Sequence, residues 1–186
     1  MVPLTSLWAP ILLSAVVVFI ASSLMHMVLT YHHNDLRRLS KEDDVLEAFR
    51  RANIAPGDYV APHAGSPAAM KEPAFVEKMK KGPTLFVTVA PGREISMAGP
   101  LTLWFLYSVL VSVFAGYITG RALAPGAHYL EAFRFAGASA FMGYSFALLQ
   151  NSIWYKRAWG TTLKVMFDGL VYALLTAGTF GWLWPR

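Results

Sequence analysis

Between Ile95 and Arg186 three long apolar segments follow one another with only short polar breaks, and a fourth, Leu7 to Thr30, lies near the start of the chain. A helix needs about 20 apolar residues to cross ~30 Å of hydrocarbon. The pattern therefore predicts an all-α polytopic membrane protein: four transmembrane helices with a small α+β extramembrane insertion between helices 1 and 2. Residues 1–30 hold the first helix, 31–99 the hydrophilic insertion, and 100–186 a three-helix region with spans at about 100–120, 131–154 and 161–184. A cleaved signal peptide is the rival reading of the first segment, since Ala21, Ser22 and Ser23 are small. It fits less well, because no basic stretch precedes the apolar run and the run continues past that site.

Composition narrows the chemistry. Of 186 residues, 55% are hydrophobic and 15% charged, with mean hydropathy +0.43, a balance foreign to soluble domains of this size. No cysteine is present, which excludes disulfides, thiolate metal sites and cysteine nucleophiles. The net charge of +5 is unevenly spread: residues 31–100 hold ten Lys/Arg and nine Asp/Glu, and the rest of the excess flanks the apolar segments. A nearly neutral insertion and membrane-flanking cations make no nucleic-acid stripe.

Within the insertion, Ser40-Lys41-Glu42-Asp43 has the form of a capping box, and Val45, Phe49 and Ala52 follow at helical spacing. A short helix is expected from Lys41 to about Asn53, stopped by Pro56-Gly57. Asp58 to Pro73, rich in proline, reads as a loop without a strong element. Ala74 to Lys81 allows two helical turns before Gly82-Pro83. Thr84 to Val89 alternates like a strand, and Glu94 to Met97 is the expected returning strand. So small a unit buries little core alone, so it is expected to lean on the bilayer surface or on a partner.

Lys and Arg near the helix ends set the expected orientation. Arg37, Arg38, Lys41, Arg93, Lys156, Arg157 and Lys164 gather at one side, against Arg121, Arg134 and Arg186 at the other. The richer side is expected to be cytoplasmic in a cell inner membrane, which puts the insertion in the cytoplasm and both termini in the periplasm. Small residues recur every fourth position: Ser108, Ser112, Gly116 and Gly120 on the second helix, Gly169, Ala173, Ala177 and Gly181 on the fourth, and Ser139, Gly143 and Ala147 on the third. Lipid tails give helices no hydrophobic reason to associate, so close approach over small residues matters, and the two four-member ladders are expected to dock on each other. Use of a ladder between copies, in a homo-oligomer, stays open.

Asp168 is the one carboxylate set inside an apolar run. A charge there costs several kcal/mol unless paired or wet. His26, Gln150, Asn151, Lys164 and Asp168 all fall toward the presumed cytoplasmic ends and form a candidate intramembrane polar cluster. One reading is a proton or cation relay, or a small-molecule site, built from Asp168, His26 and Gln150. The other is an i,i+4 pair of Lys164 with Asp168, Lys164 snorkelling to the interface, beside a hydrogen-bonded His26. Met25-His26-Met27 followed by His32, His33 and Asp35 raises a third possibility, a metal bound by His26, His32 and His33, because imidazole and thioether are ligands for transition metals. Adjacent helical residues point ~100° apart, which stops Met25, His26 and Met27 from converging.

Walker, nucleophile-elbow, zincin and Rossmann patterns are missing, so nothing supports an enzyme, and no cofactor is indicated. The leading expectation is a non-catalytic accessory or scaffold subunit whose insertion offers Phe75, Phe86 and nearby surface to a larger membrane complex. Alternatives are a small transporter or proton-conducting element using Asp168 and His26, and a metal-handling membrane protein.

Overall fold

The computed structural model describes residues 1–92, 94 and 96–186. Arg93, counted above among the cytoplasmic cations, and Ile95, in the expected returning strand, lie outside the described residues. In chain order the helices are α1 (Trp8–Met27), α2 (Glu42–Arg51), α3 (Pro73–Lys81), α4 (Ala98–Ala122), α5 (Tyr129–Ser145), α6 (Leu149–Ile153) and α7 (Trp159–Trp182), with strands β1 (Gly57–Ala61) and β2 (Leu85–Val89). The chain divides into two compact units: Met1–Leu36 with Ser96–Arg186, and Arg37–Ile95.

The first unit is a helix bundle. Three of its helical stretches are long and apolar enough to cross a membrane: Leu4–Met27, where a 3-10 turn leads into α1, Ala98–Ala122 and Trp159–Trp182, of 24, 25 and 24 residues. The third expected helix is not one regular rod. α5 has 17 residues, and α6 has five, with a 3-10 turn over Phe146–Leu148 between them. The break falls at Ser145, whose φ of −125° leaves the helical region. There the Ser145 hydroxyl donates across to the Met166 carbonyl of α7 at 3.3 Å, and a Cβ added at Gly169 would meet Ser145 and Tyr144. A close crossing with α7 thus competes with the regular ladder of α5, and a 3-10 turn absorbs the mismatch.

Packing in the bundle is inverted relative to a soluble protein. Large apolar side chains such as Trp8, Leu12, Ile20, Leu103, Phe114 and Phe167 are exposed, while the interior is lined by Ala15, Ala115, Ala132, Ala136, Ala140 and Ala177. Several buried serine and threonine hydroxyls are satisfied locally: Ser108, Ser112, Thr119 and Thr176 each donate to the carbonyl four residues earlier. Side-chain bonds also tie α1 to α4, Ser14 to Ser112 at 2.9 Å among them. Such an interior lets backbones approach closely, as membrane helices require.

α1 packs on α4, α4 on α5, α5 on α7, and α7 on α1, in a ring. This corrects the expected pairing of the two ladders. On α4, a Cβ at Gly120 would meet the Val2 carbonyl at 2.6 Å and Leu7 at 3.3 Å, and one at Gly116 would meet Phe180 of α7 and Ile11 of α1, so that ladder receives mainly the N-terminal segment and α1, with one ring of α7 reaching it. On α7, Gly169 faces Tyr144 and Ser145, Ala177 lies 2.9 Å from where a Cβ on Gly137 would sit, and a Cβ at Gly181 would meet Tyr129 at 2.7 Å, so that ladder receives α5. α5 itself buries Ala132, Ala136 and Ala140 completely. Gly143, from the small-residue spacing of the third helix, faces Val111 of α4.

The second unit is α2, β1, α3 and β2. β1 and β2 pair antiparallel, with Tyr59 opposite Val87 and Val60 opposite Phe86. The stretch after Asp58, read from sequence as a loop, is therefore strand: Tyr59 and Val60 are good strand formers, and the flanking prolines mask a segment only five residues long. α2 begins at Glu42 without a capping box. Lys41 occupies the N-cap at φ 56°, and the helix start is favoured instead by Glu42, Asp43 and Asp44 in its first turn, with Arg50 and Arg51 in its last. α3 starts on Pro73 and ends at Gly82, whose φ of 59° suits glycine.

Candidate functional site

Three pieces of the bundle meet at the end where α1 finishes and α7 begins. α1 contributes His26 in its last turn. The segment after it carries a 3-10 turn over Thr30–His32, followed by Asp35. α7 brings Lys164 and Asp168, one turn apart and therefore on one face. Asp168 is 0% exposed, and both of its oxygens are occupied. Its Oδ2 lies 2.8 Å from His32 Nε2, and its Oδ1 accepts the Tyr31 hydroxyl. The other nitrogen of the same imidazole, His32 Nδ1, lies 2.7 Å from Asp35 Oδ2. Lys164 Nζ completes the centre by donating to Asp35 Oδ1 at 2.9 Å and to the Tyr31 carbonyl at 2.7 Å.

The expected Lys164–Asp168 pair is thus replaced. Lys164 lies one turn nearer the end of the bundle, where Asp35 waits, and the deeper Asp168 takes the imidazole and the phenol. This division suits the energetics: the ammonium keeps partial exposure at 38% of its side chain, and the carboxylate with no access to water receives two fixed donors.

His26 joins by stacking. Its ring is 4.6 Å from that of His32, centroid to centroid, at an interplanar angle of 7°. Its Nδ1 lies 3.0 Å from the Ser22 carbonyl one turn back, and the Ser22 hydroxyl accepts the Trp104 indole N–H at 2.7 Å, so α4 braces the turn that holds it. Behind the centre, Tyr172 sits one turn beyond Asp168, with its ring 5.7 Å from Trp104 and 5.6 Å from Tyr144.

Two groups outside the spans have shifted acidities. Burial first, then the carboxylates of Asp168 and Asp35, raise the Tyr31 phenol above its ordinary value, so it remains a hydrogen-bond donor. The bond from His32 is the main reason that the Asp35 carboxyl titrates below its ordinary range; burial opposes this and Lys164 reinforces it.

Of the residues singled out from sequence, the structure brings His26, Lys164 and Asp168 to one place. Gln150 is exposed and Asn151 half-buried, both on α6, and among the described residues no hydrogen bond joins either side chain to the centre. His32 belongs to the centre, whereas His33, its neighbour, is exposed. The side chains of Tyr31 and Asp35 complete the site. Their signal was the spacing His32 to Asp35, three apart as a 3-10 turn requires, on a segment that leaves a span directly.

Chemically, the arrangement is a carboxylate–imidazole–carboxylate line with a phenol and an ammonium at its ends. One nitrogen from each of His26 and His32 and one oxygen of Asp168 lie within 4.8 Å of one another. No family model, curated protein or solved structure matches the chain.

Proposed function

We propose that this protein is a four-span accessory or scaffold subunit that holds the unit Arg37–Ile95 at a membrane for a partner protein. The observation that carries this reading is that no described residue of 37–95 is buried. Leu46, Tyr59, Met70, Val76, Met79 and Leu85 are all exposed large apolar groups there. An isolated two-stranded sheet is at best marginally stable in water, and a unit of this size without a core needs a further surface to complete it. Beside α3 an open cavity of about 530 Å³, lined among others by Pro62, His63, Phe75 and Lys78, gives a partner side chain a place to enter.

Four spans are supported by the run Tyr129–Ser145, Phe146–Leu148 and Leu149–Ile153, which is helical throughout and, counted as one, as long as the three apolar spans. Local 3-10 geometry is a tolerated way to rebond backbone within a membrane. The basic side faces the cytoplasm on this reading, with both termini opposite. In it the centre at Asp168 acts as a fastener, fixing the segment Tyr31–Asp35 to α7 immediately before the insertion begins.

Copurification from native membranes in mild detergent tests the proposal. A stoichiometric partner is expected, retained by the wild-type chain and lost on the double substitution Met79→Ser with Leu85→Ser while the bundle stays folded. Recovery of the chain alone, or with the same partner after both substitutions, overturns it.

A further inference from the structure

We propose that His26, His32 and Asp168 bind one divalent transition-metal ion, with Zn²⁺ and its relatives Co²⁺ and Fe²⁺ as the matching class. The three come from different elements, the last turn of α1, the following 3-10 turn and α7, yet one donor atom of each lies within 4.8 Å of the others. Two imidazoles and a carboxylate are a donor set for borderline metals, and three protein ligands leave a tetrahedral ion one open position. The softer alternative, copper held by methionine, is disfavoured by direction: Met27 is 82% exposed and points away, adjacent to His26 on the helix.

The surroundings of the three donors carry the argument beyond proximity. Histidine ligands are usually aimed by an acceptor on the nitrogen that does not bind metal. Both histidines have one. His26 Nδ1 is held by the Ser22 carbonyl at 3.0 Å, and His32 Nδ1 by the Asp35 carboxylate at 2.7 Å, which leaves Nε2 of each for an ion. Asp168 is oriented in the same manner, because Tyr31 donates to Oδ1 and leaves Oδ2 toward His32. Lys164 in turn holds Asp35, so every donor is steered by a further bond. A fastener of hydrogen bonds between this segment and α7 is already made by Tyr31, His32 and Asp35 with Asp168 and Lys164. It does not require a second imidazole placed against the first with its Nδ1 already engaged.

Binding entails two defined movements. Metal–ligand bonds of ~2.0–2.2 Å in a tetrahedron separate donors by about 3.3 Å. His32 Nε2 and Asp168 Oδ2, now 2.8 Å apart, move outward as the ion replaces the proton between them. His26 turns out of its stack on His32, so that its Nε2 aims at the same point. His26 is exposed and Asp168 buried, so the ion enters from the His26 side.

The test uses the full chain, purified in mild detergent with a tag free of histidine and stripped with a chelator. Titration with Co²⁺ is expected to give the visible d–d absorption of a tetrahedral N/O site at one ion per chain, and Zn²⁺ is expected to displace it and raise the Tm. His26→Gln, at an exposed position, should abolish the band and the Zn²⁺-dependent rise in Tm while far-UV circular dichroism stays unchanged. Asp35→Asn should weaken binding by about 10–100-fold, as expected for a supporting partner. His33→Gln should bind as wild type. Absence of the Co²⁺ band in the wild-type protein overturns the proposal whatever the variants do. So does equal binding by His26→Gln, or loss of binding in His33→Gln. The accessory-subunit reading is unaffected by either result, since its test is a partner and not an ion.

Discussion

Asp168 concentrates the energetics of the site on one side chain. With two hydrogen-bonding partners and no exposure, its removal strands an imidazole and a phenol in a place water does not reach. Breaking one member of a buried ionic cluster costs about 3–5 kcal/mol, so Asp168→Ala is expected to lower unfolding stability by that order in detergent, more than the exposed His33→Ala does. Asp35 adds a pH dependence with a definite sign. Its carboxyl is held below its ordinary value of 3.8. The stabilisation is therefore complete above that value, and is lost as pH falls through the depressed one. Thermal unfolding from pH 6 to 3 should show an acid loss that flattens in Asp35→Asn. That Asp168 matters was legible from sequence, since a carboxylate in an apolar run is costly. Which groups answer it was not. Lys164 at i+4 spacing was the local solution, and the real partners are more than 130 residues away.

At the scale of the helix, glycines differ in how closely the neighbouring helix approaches them. A Cβ at Gly137 would meet Ala177 at 2.9 Å, whereas one at Gly178 would meet nothing nearer than the Tyr129 hydroxyl at 3.8 Å. Gly137→Ala is expected to destabilise the bundle by about 1–3 kcal/mol through overpacking. Gly178→Ala should be neutral or stabilising by up to about 1 kcal/mol, because alanine is the better helix former. Unfolding of the two variants in parallel checks both. The spacing of small residues revealed the ladders from sequence. It could not reveal their partners, because a four-residue repeat says which face is flat and leaves open which neighbour lies on it. β1 was hidden for a different reason: five residues between prolines have too few alternations to show a period, and only pairing with β2 makes them a strand.

For the whole molecule, the division into two units has a mechanical meaning. The bundle closes its own ring of helices without help from 37–95. Replacing those residues by a flexible glycine–serine linker is therefore expected to leave helicity and cooperative unfolding of the bundle intact, while any copurifying partner is lost. Circular dichroism and copurification on the same preparation check this. The apolar pattern made the bundle legible, and the polar composition of the stretch between its first two helices marked the second unit. The ring order was not, since every span carries the same pattern of large residues outward and small ones inward.

The long sequence separation at the centre also bears on how the chain is made. Tyr31, His32 and Asp35 leave the ribosome early and Asp168 more than 130 residues later, in the last helix. Until α7 arrives, the early segment has no anchor. α7, for its part, is long and apolar enough to cross a membrane, and a carboxylate at the centre of such a helix carries a cost of about 2.5–3.5 kcal/mol. The two ends of the bundle's sequence are thus tied at one point, where groups made early answer the buried carboxylate of α7.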